Sequence, residues 1–600
     1  MLVFLPGKGE IASVARALAG RSGLDVLPLH GGLSLDEQTR IFRPSTRRKV
    51  ILATNVAETS LTVPGVGVVI DSGLVRRTRY ARDRGYLTLV PIALDSADQR
   101  SGRAGRTAAG VAFRLWAEAA HLDARTPPEI HRESLVPLVL ATAVHGADPQ
   151  AIPWLDPPKA HAIDTAENEL RALGALDGTT LTERGKRLFG LPLDAALGRW
   201  LIEAEARERD DPNAAGLLAD MVDLVAALST GRPPVARPTT PPGEEPTAET
   251  VCDAVAMLRA VRGDGSEATG RSMREARSAR RRLRRLVELD DATAPSVDDP
   301  IDRRRLAETL LAADPRLAHI ARRRGRRTGW SNGGTELEVG REAGLRQLDE
   351  TVEAVTDAML VLQAIGLGTA REARLVASRV MPIPSSWLAE AGLGRDRLAT
   401  LAVREGTDGP EVVASIERVF AKRVLASRDD VPRGALARDA VAELYLRGTL
   451  YGAAERDRNR EAFDALRLAY RLANAPDAAP WLAEVAMLVA DELPAFEDWL
   501  RARVDRLGVD SGRDIALLDA SDFRAPELPA HARAELDRGW PRRLKIDGVG
   551  YRVDYDLERS IVNLHIFSGK PQKLPGRFFL PRFPGFRVQV EHKGAMRAVD

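Results

Sequence analysis

Up to Leu115, short apolar runs alternate with segments of helical period. Leu2 to Leu5, Asp25 to Leu29, Lys49 to Ala53, Gly67 to Asp71 and Gly110 to Leu115 read as strands. The middle runs are apolar at nearly every position, as strands buried on both faces of a parallel sheet are. Glu10 to Arg21 and Leu35 to Phe42 repeat at helical spacing, so the pattern predicts an α/β layered domain. In such a domain, functional loops gather at the carboxyl ends of the strands.

Beyond this domain the pattern changes. RRTRYARDRGYLTLVPIAL places two β-like runs around Asp83, Arg84 and Gly85 and reads as a hairpin. Thr165 to Leu173 is an amphipathic helix stopped by Gly174, and Ala175 to Leu201 continues with a short hairpin and a second helix, the order of a winged helix. Ala214 to Leu228 reads as another amphipathic helix, and the proline-rich stretch 230–247 as a linker or insertion. Glu249 to Arg262 and Arg271 to Leu289 predict a helical bundle. Arg271, Arg274, Arg277, Arg281 and Arg285 share one face of it, a candidate phosphate-tracking wall. Pro315 to Pro382 carries short strands in a pattern that resembles an OB-type barrel, with Trp330 expected either to stack a base or, preferentially, to sit in its core. Helices are expected from Pro410 to Asn474 and from Trp481 to Leu507, before alternating β segments close the chain.

Composition narrows the class. At 600 residues, with 44% hydrophobic and 29% charged, the chain is too long for one core and otherwise ordinary for a soluble globular protein. Its single cysteine, Cys252, excludes an internal disulfide framework and a cysteine-rich metal site, and suits a cytoplasmic location. No apolar run reaches membrane-spanning length: Gly216 to Leu228 comes closest and is broken by Asp220 and Asp223. No signal-peptide layout follows Met1. The net charge of +2 conceals arginine-dense stretches at 271–285 and 322–327.

The candidate chemistry lies in the loops of the first domain: FLPGKGE, LHGGLSLDEQTRIF, ATNVAETSLT, VIDSGLVR and QRSGRAGR. Arg103 and Arg106 stand three apart. On a helix both guanidinium groups would leave one face and suit an anion with several oxygens. In order and spacing these segments resemble motifs IV, IVa, V and VI in the second RecA-like lobe of DEAH-box RNA helicases, with the bacterial HrpB family the best match.

That resemblance implies a set of roles. Arg103 and Arg106 would be arginine fingers, and Gln99 would orient the attacking water or contact the γ-phosphate. Phe42 would stack on adenine, Ser60 and Thr62 would lie near the nucleotide, and Asp71 near the ribose. Pro64 stands where many relatives carry an acidic residue. Gly7, Lys8, His30, Gly31, Thr54 and Asn55 would meet the backbone of single-stranded RNA or another nucleic acid. The cofactor would be ATP with Mg²⁺, bound jointly with a first RecA-like lobe absent from this chain. No metal ligands, and no membrane partner, are expected within the chain itself.

The same resemblance divides the chain into residues 1–120 as the second RecA-like lobe and 121–201 as connector and winged helix. Residues 202–314 follow as a helical bundle, 315–390 as an OB-like domain, and 391–600 as an HrpB-type C-terminal region. A GxxxxGK[ST] phosphate loop is missing: Lys8 is followed by Gly9, and Lys570 by Pro571. Nor is there a DEAH-like magnesium box, since Asp36 and Glu37 sit in the motif IVa helix. Two readings follow: the C-terminal part of an ATP-dependent 3′-to-5′ RNA helicase, or a nucleic-acid-binding protein without ATPase activity.

Overall fold

The structure, a computed structural model, describes residues 1–31, 33, 35–59, 63–81, 84–106, 108–230, 245–263, 271–324, 327–347, 356–367, 374–474, 478–482, 485 and 493–599. It forms two compact units, Met1–Gly394 with Val419–Leu425, and Arg395–Arg418 with Ala426–Asp600.

The first unit opens with a parallel five-stranded sheet. Its strands are β1 (Leu2–Phe4), β2 (Leu24–Leu29), β3 (Arg48–Ala53), β4 (Val68–Asp71) and β7 (Val111–Arg114), in the order β2-β3-β1-β4-β7. Leu2, Phe4, Leu27, Leu29, Ile51, Ala53 and Val69 fill one face. Helix α1 (Lys8–Leu18) packs its Ile11 against Val50 and Leu52 on the other. Residues of opposite parity serve opposite faces, which is why the runs read as continuously apolar.

The hairpin of β5 (Leu74–Ala81) and β6 (Arg84–Pro91) leaves this sheet, and Asp83 at its turn lies outside the described residues. β6 pairs with β13 (Ala358–Leu367) at Tyr86 and Gly366, so the hairpin extends a second, seven-stranded sheet. That sheet also contains β10 (Ala318–Arg324), β11 (Arg327–Ser331), β12 (Glu336–Val339) and β14 (Arg374–Ile383). Trp330 is 1% exposed in its core. Between β7 and β10 the chain forms, among others, helix Ala160–Ala172, the two-stranded pair β8 (Leu176–Asp177) and β9 (Thr180–Leu181), and helices Glu183–Gly190 and Ala195–Asp210.

Helix Leu217–Leu228 departs from the amphipathic expectation. All of its residues but Asp220 are buried, because neighbouring helices and strands surround it. Its two carboxylates are neutralised there: Arg262 donates to Asp220 and Asp223, and Arg280 donates to Asp223 at 2.6 Å. The arginine-rich helix Arg271–Leu286 is therefore only partly a cationic surface. Arg277 donates to the Ala260 and Gly263 carbonyls at the end of helix Asp253–Arg262, and Arg284 is 1% exposed, whereas Arg274, Arg281 and Arg285 are exposed.

Asp253 ties this helical layer to β14. It accepts the Val380 amide at 2.9 Å and the Gly344 amide at 3.3 Å, with Arg379 Nη1 3.6 Å away. Burial pushes its carboxyl up to about 7, against the pull of those amides and Arg379. An acid whose native pKa lies above its unfolded value loses stabilisation as pH rises between the two. Thermal melts of Asp253→Asn should therefore gain on the wild type from about pH 4 to about pH 7 and level off above. A difference flat across that window would show that the amides hold the carboxylate charged.

The second unit corrects one expectation. Residues from Pro410 are not helical until Ala435: β15 (Arg395–Gly406), β16 (Gly409–Phe420) and β17 (Arg423–Asp430) form a three-stranded sheet in that order. EVVASIERVF alternates with period two, which is strand geometry. Helices Ala435–Leu446, Ala453–Ala473 and Phe496–Arg506 follow, then a sheet of β18 (Arg543–Ile546), β19 (Val549–Asp556), β20 (Ile561–Ser568), β21 (Arg587–His592) and β22 (Ala595–Ala598). Its inner face places Tyr551, Val553, Val562, Leu564 and Val590 in a core with Trp540 and Phe583.

Candidate active site

All four parallel strands that end in motif loops release their chains at one edge of the first sheet. That edge brings together segments far apart in sequence.

After β1 the backbone of Gly7 is extended and buried, and α1 begins at the exposed Lys8. Arg76 reaches from β5 to pair with Glu10 at 2.8 Å directly over Gly7. A Cβ there would lie 2.8 Å from Arg76 Nε, so the ion pair needs glycine beneath it. The pair thus covers Gly7, the expected phosphate-contact position, while Lys8 stays open.

After β2, His30 is half-buried and Gly31 exposed. Desolvation lowers the His30 pKa, opposed by a backbone hydrogen bond and by Glu37, so the imidazole favours its neutral form at pH 7. The short helix α2 (Leu35–Thr39) runs into a 3₁₀ turn at Arg40–Phe42. Ile41 is 1% exposed in the core, which turns its neighbour Phe42 outward to 42% exposure. Lys49 Nζ clamps this turn through the Ile41 carbonyl at 2.9 Å and the Arg43 carbonyl.

After β3, the Thr54 amide donates to the Leu29 carbonyl at 3.1 Å and fixes this loop beside that of β2. Asn55 is exposed and Thr54 half-buried at the entry to α3 (Val56–Thr59). Ser60 and Thr62 lie outside the described residues.

Helix α4 (Leu94–Ser101) ends before the two expected arginine fingers, so their common helix face is not formed. Instead, successive i→i−3 amide bonds carry Gly102 to Gly105 around tight turns: Arg103 N to Arg100 O at 3.1 Å, Ala104 N to Ser101 O at 3.0 Å. Gly110 lets the chain return, since a Cβ on it would come 2.3 Å from the Ala104 carbonyl oxygen. Gln99 and Arg106 are exposed. Arg103 is only 7% exposed, and its Nη2 donates to the Glu58 carbonyl. Desolvation first, then repulsion from Arg106, lowers its pKa. The two cations are thus close in space, one turned inward and one outward.

Asp71, expected near a ribose, lies at the end of β4. It is 2% exposed, and Oδ1 accepts Arg100 Nη1 and the Gly73 amide, both at 2.9 Å. Its carboxylate is buried against Arg100.

Sequence reasoning passed over the residue that organises this edge. Arg100 is 1% exposed, bonds Glu58 Oε2 at 2.9 Å and Asp71 Oδ1 at 2.9 Å, and lies 4.9 Å from the Phe4 ring centroid. Glu58 also accepts Ser96 Oγ. Motifs V and VI and the end of β4 are thereby joined through one guanidinium. The legible signal was helical phase: Ala93, Ala97 and Arg100 lie on one stripe, and the first two are buried.

The profile of the helicase conserved C-terminal domain matches residues 1–108. These residues belong to that domain family. The chain is 39% identical to probable ATP-dependent RNA helicase DHX34 of Mus musculus over 246 residues, 39% of this chain and 21% of that protein. It is also 39% identical to ATP-dependent RNA helicase HrpB of Escherichia coli K12 over 214 residues, 34% of this chain and 26% of that protein. The chain therefore matches about a quarter or less of these relatives' lengths. In fold it is similar to the crystal structure of the E. coli DExH-box NTPase HrpB, with a TM-score of 0.52 at 21% identity, covering 100% of this chain and 68% of that one. A second structure, of the E. coli DEAH/RHA helicase HrpB, gives a TM-score of 0.53 at 23% identity over 94% of this chain and 65% of that one. The likeness of the helicase domain and its motifs to the C-terminal portion of DEAH-box helicases stands on these matches together.

The exposed groups at this edge offer stacking and hydrogen-bond donation. Phe42 offers an aromatic face, and Arg106 and Gln99 offer donors suited to phosphate oxygens. Among the described residues there is no group of His, Cys, Asp and Glu that could hold a metal ion, and no helix long and apolar enough to cross a membrane.

Proposed function

We propose that this chain is the C-terminal portion of an ATP-dependent RNA helicase, whose helicase domain closes an ATP site opposite a first RecA-like lobe. The observation that carries the reading is the edge itself: motif loops from four parallel strands gather there, with Phe42, Gln99 and Arg106 outward. Phe42 would stack on adenine. Arg106 would stabilise charge on the γ-phosphate oxygens, and Gln99 would orient the attacking water or contact the same phosphate. Arg103 would steady the turn from within and join Arg106 when a nucleotide draws it outward. Ser60 and Thr62 would complete the nucleotide contacts, and Mg²⁺ would be held by the first lobe.

Lys8, His30, Gly31, Thr54 and Asn55 would track a single RNA strand through phosphate contacts, which carry no base preference. The segments at 121–201, 202–314 and 315–390 would serve as winged helix, helical bundle and OB-like domain around that strand, with Arg274, Arg281 and Arg285 along its path. Movement would run 3′ to 5′, in the cytoplasm.

The test is reconstitution. The 600-residue chain, which has no GxxxxGK[ST] loop, should show no RNA-stimulated ATPase, and joining it to a first lobe from an HrpB-type protein should restore turnover. Turnover by the pure chain, or none after reconstitution with a correctly folded first lobe, would overturn the reading and favour a nucleic-acid-binding protein without ATPase activity.

A further inference from the structure

The second unit carries a surface that the helicase reading does not use. β20 and β21 are parallel neighbours, and the loop joining them must cross from one end of the sheet to the other. Leu580 and Phe583, 8% and 6% exposed, anchor this loop in the core, with Phe583 against Trp540 at 5.4 Å. From that anchored segment Phe578 projects at 95% exposure and Phe579 at 61%. Their rings stand 5.8 Å apart at an interplanar angle of 90°. Phe567, at the β20 end of the loop, is 57% exposed, with the Arg543 guanidinium 5.7 Å from its centroid.

Charge marks the same stretch. From Arg559 to Val590 the chain has no aspartate or glutamate. Lys573, Arg577 and Arg582 are all exposed there and, among the described residues, none is ion-paired. Open aromatic faces beside unneutralised cations are the two ingredients of a single-strand nucleic-acid platform: stacking accepts any base, and the cations follow the phosphates. Isolated exposed apolar groups need no explanation, but two adjacent phenylalanines held outward by a buried anchor do.

We propose that the loop between β20 and β21 is a second binding site for single-stranded RNA, separate from the helicase domain, in which Phe578 and Phe579 stack on bases while Lys573, Arg577 and Arg582 hold the adjoining phosphates. That the polyanion is RNA rests on the helicase reading. The stacking surface itself does not.

The test measures anisotropy of a labelled single-stranded oligouridine with the full chain at several salt concentrations. The double change Phe578→Ala with Phe579→Ala should weaken binding roughly ten-fold or more with the salt slope unaltered, because stacking is uncharged. The pair Arg577→Gln with Arg582→Gln should flatten the slope of log affinity on log salt by roughly 0.7 for each phosphate that is no longer neutralised. Both sites are exposed, so melting curves should match the wild type and exclude misfolding. Unchanged affinity and slope in both variants would overturn the proposal, as would a loss seen only for phosphatidylglycerol vesicles and not for RNA. Lys8→Ala with Asn55→Ala separates the two readings. If that variant binds normally while the loop variants do not, the RNA path assigned to the helicase domain fails and the loop site stands. The reverse pattern removes the loop site alone.

Discussion

With the ATP site completed by a first lobe, Arg106→Ala is expected to lower ATP turnover by roughly 10³-fold or more and to leave RNA affinity nearly unchanged. Arg106 is exposed at the end of the motif VI turn, beyond α4, whereas Arg100 is buried among its carboxylates. Loss of the exposed arginine should therefore cost charge stabilisation in the transition state and little of the fold. Lysine should rescue poorly, since a point charge does not reproduce the planar fork that meets two phosphate oxygens. The measurement is steady-state ATP hydrolysis with saturating RNA, beside RNA titration of the same protein. Weakened RNA binding with turnover spared would move Arg106 from the nucleotide to the nucleic acid.

Arg100→Ala is expected to act in the opposite manner, on stability. Removing this cation leaves Glu58 and Asp71 facing each other without it, and the Asp71 side chain is 3% exposed. Breaking a buried pair by deleting one partner typically costs about 3–5 kcal/mol, because the remaining charge is stranded in low dielectric. Urea denaturation of the chain should show that loss in the transition of the first unit. The companion change Asp71→Asn should recover part of it, since it removes one stranded charge but not the other. A loss under about 1 kcal/mol would mean that the surrounding loops relax enough to hydrate both carboxylates.

The two variants illustrate how one short segment, QRSGRAGR, holds arginines of opposite character. Spacing alone paired Arg103 with Arg106 on a helix face. The structure ends α4 at Ser101, so the spacing no longer means a shared face, and Arg103 turns in to the Glu58 carbonyl. The stop is marked locally by Gly102, directly after Ser101, a signal that the arginine spacing by itself does not take into account. Asp71 is placed near a ribose by the family resemblance alone; in the structure its Oδ1 accepts Arg100, 29 residues away in the chain.

Local pattern by itself determined the parallel strands of the first domain, the loops that follow them and the hairpin after β4, because strand period, apolar runs and turn residues are encoded within a few neighbouring positions. The spacing of Arg103 and Arg106 marked them out, and the family resemblance added Phe42. Only the tertiary structure decided which of those groups are open. It buried all but one residue of helix Leu217–Leu228, turned Arg277, Arg280 and Arg284 to internal acceptors, roofed Gly7 with an ion pair, and left Phe578 outside beside a buried Phe583. Exposure is a property of what packs across a residue from elsewhere in the chain, and that information is not local.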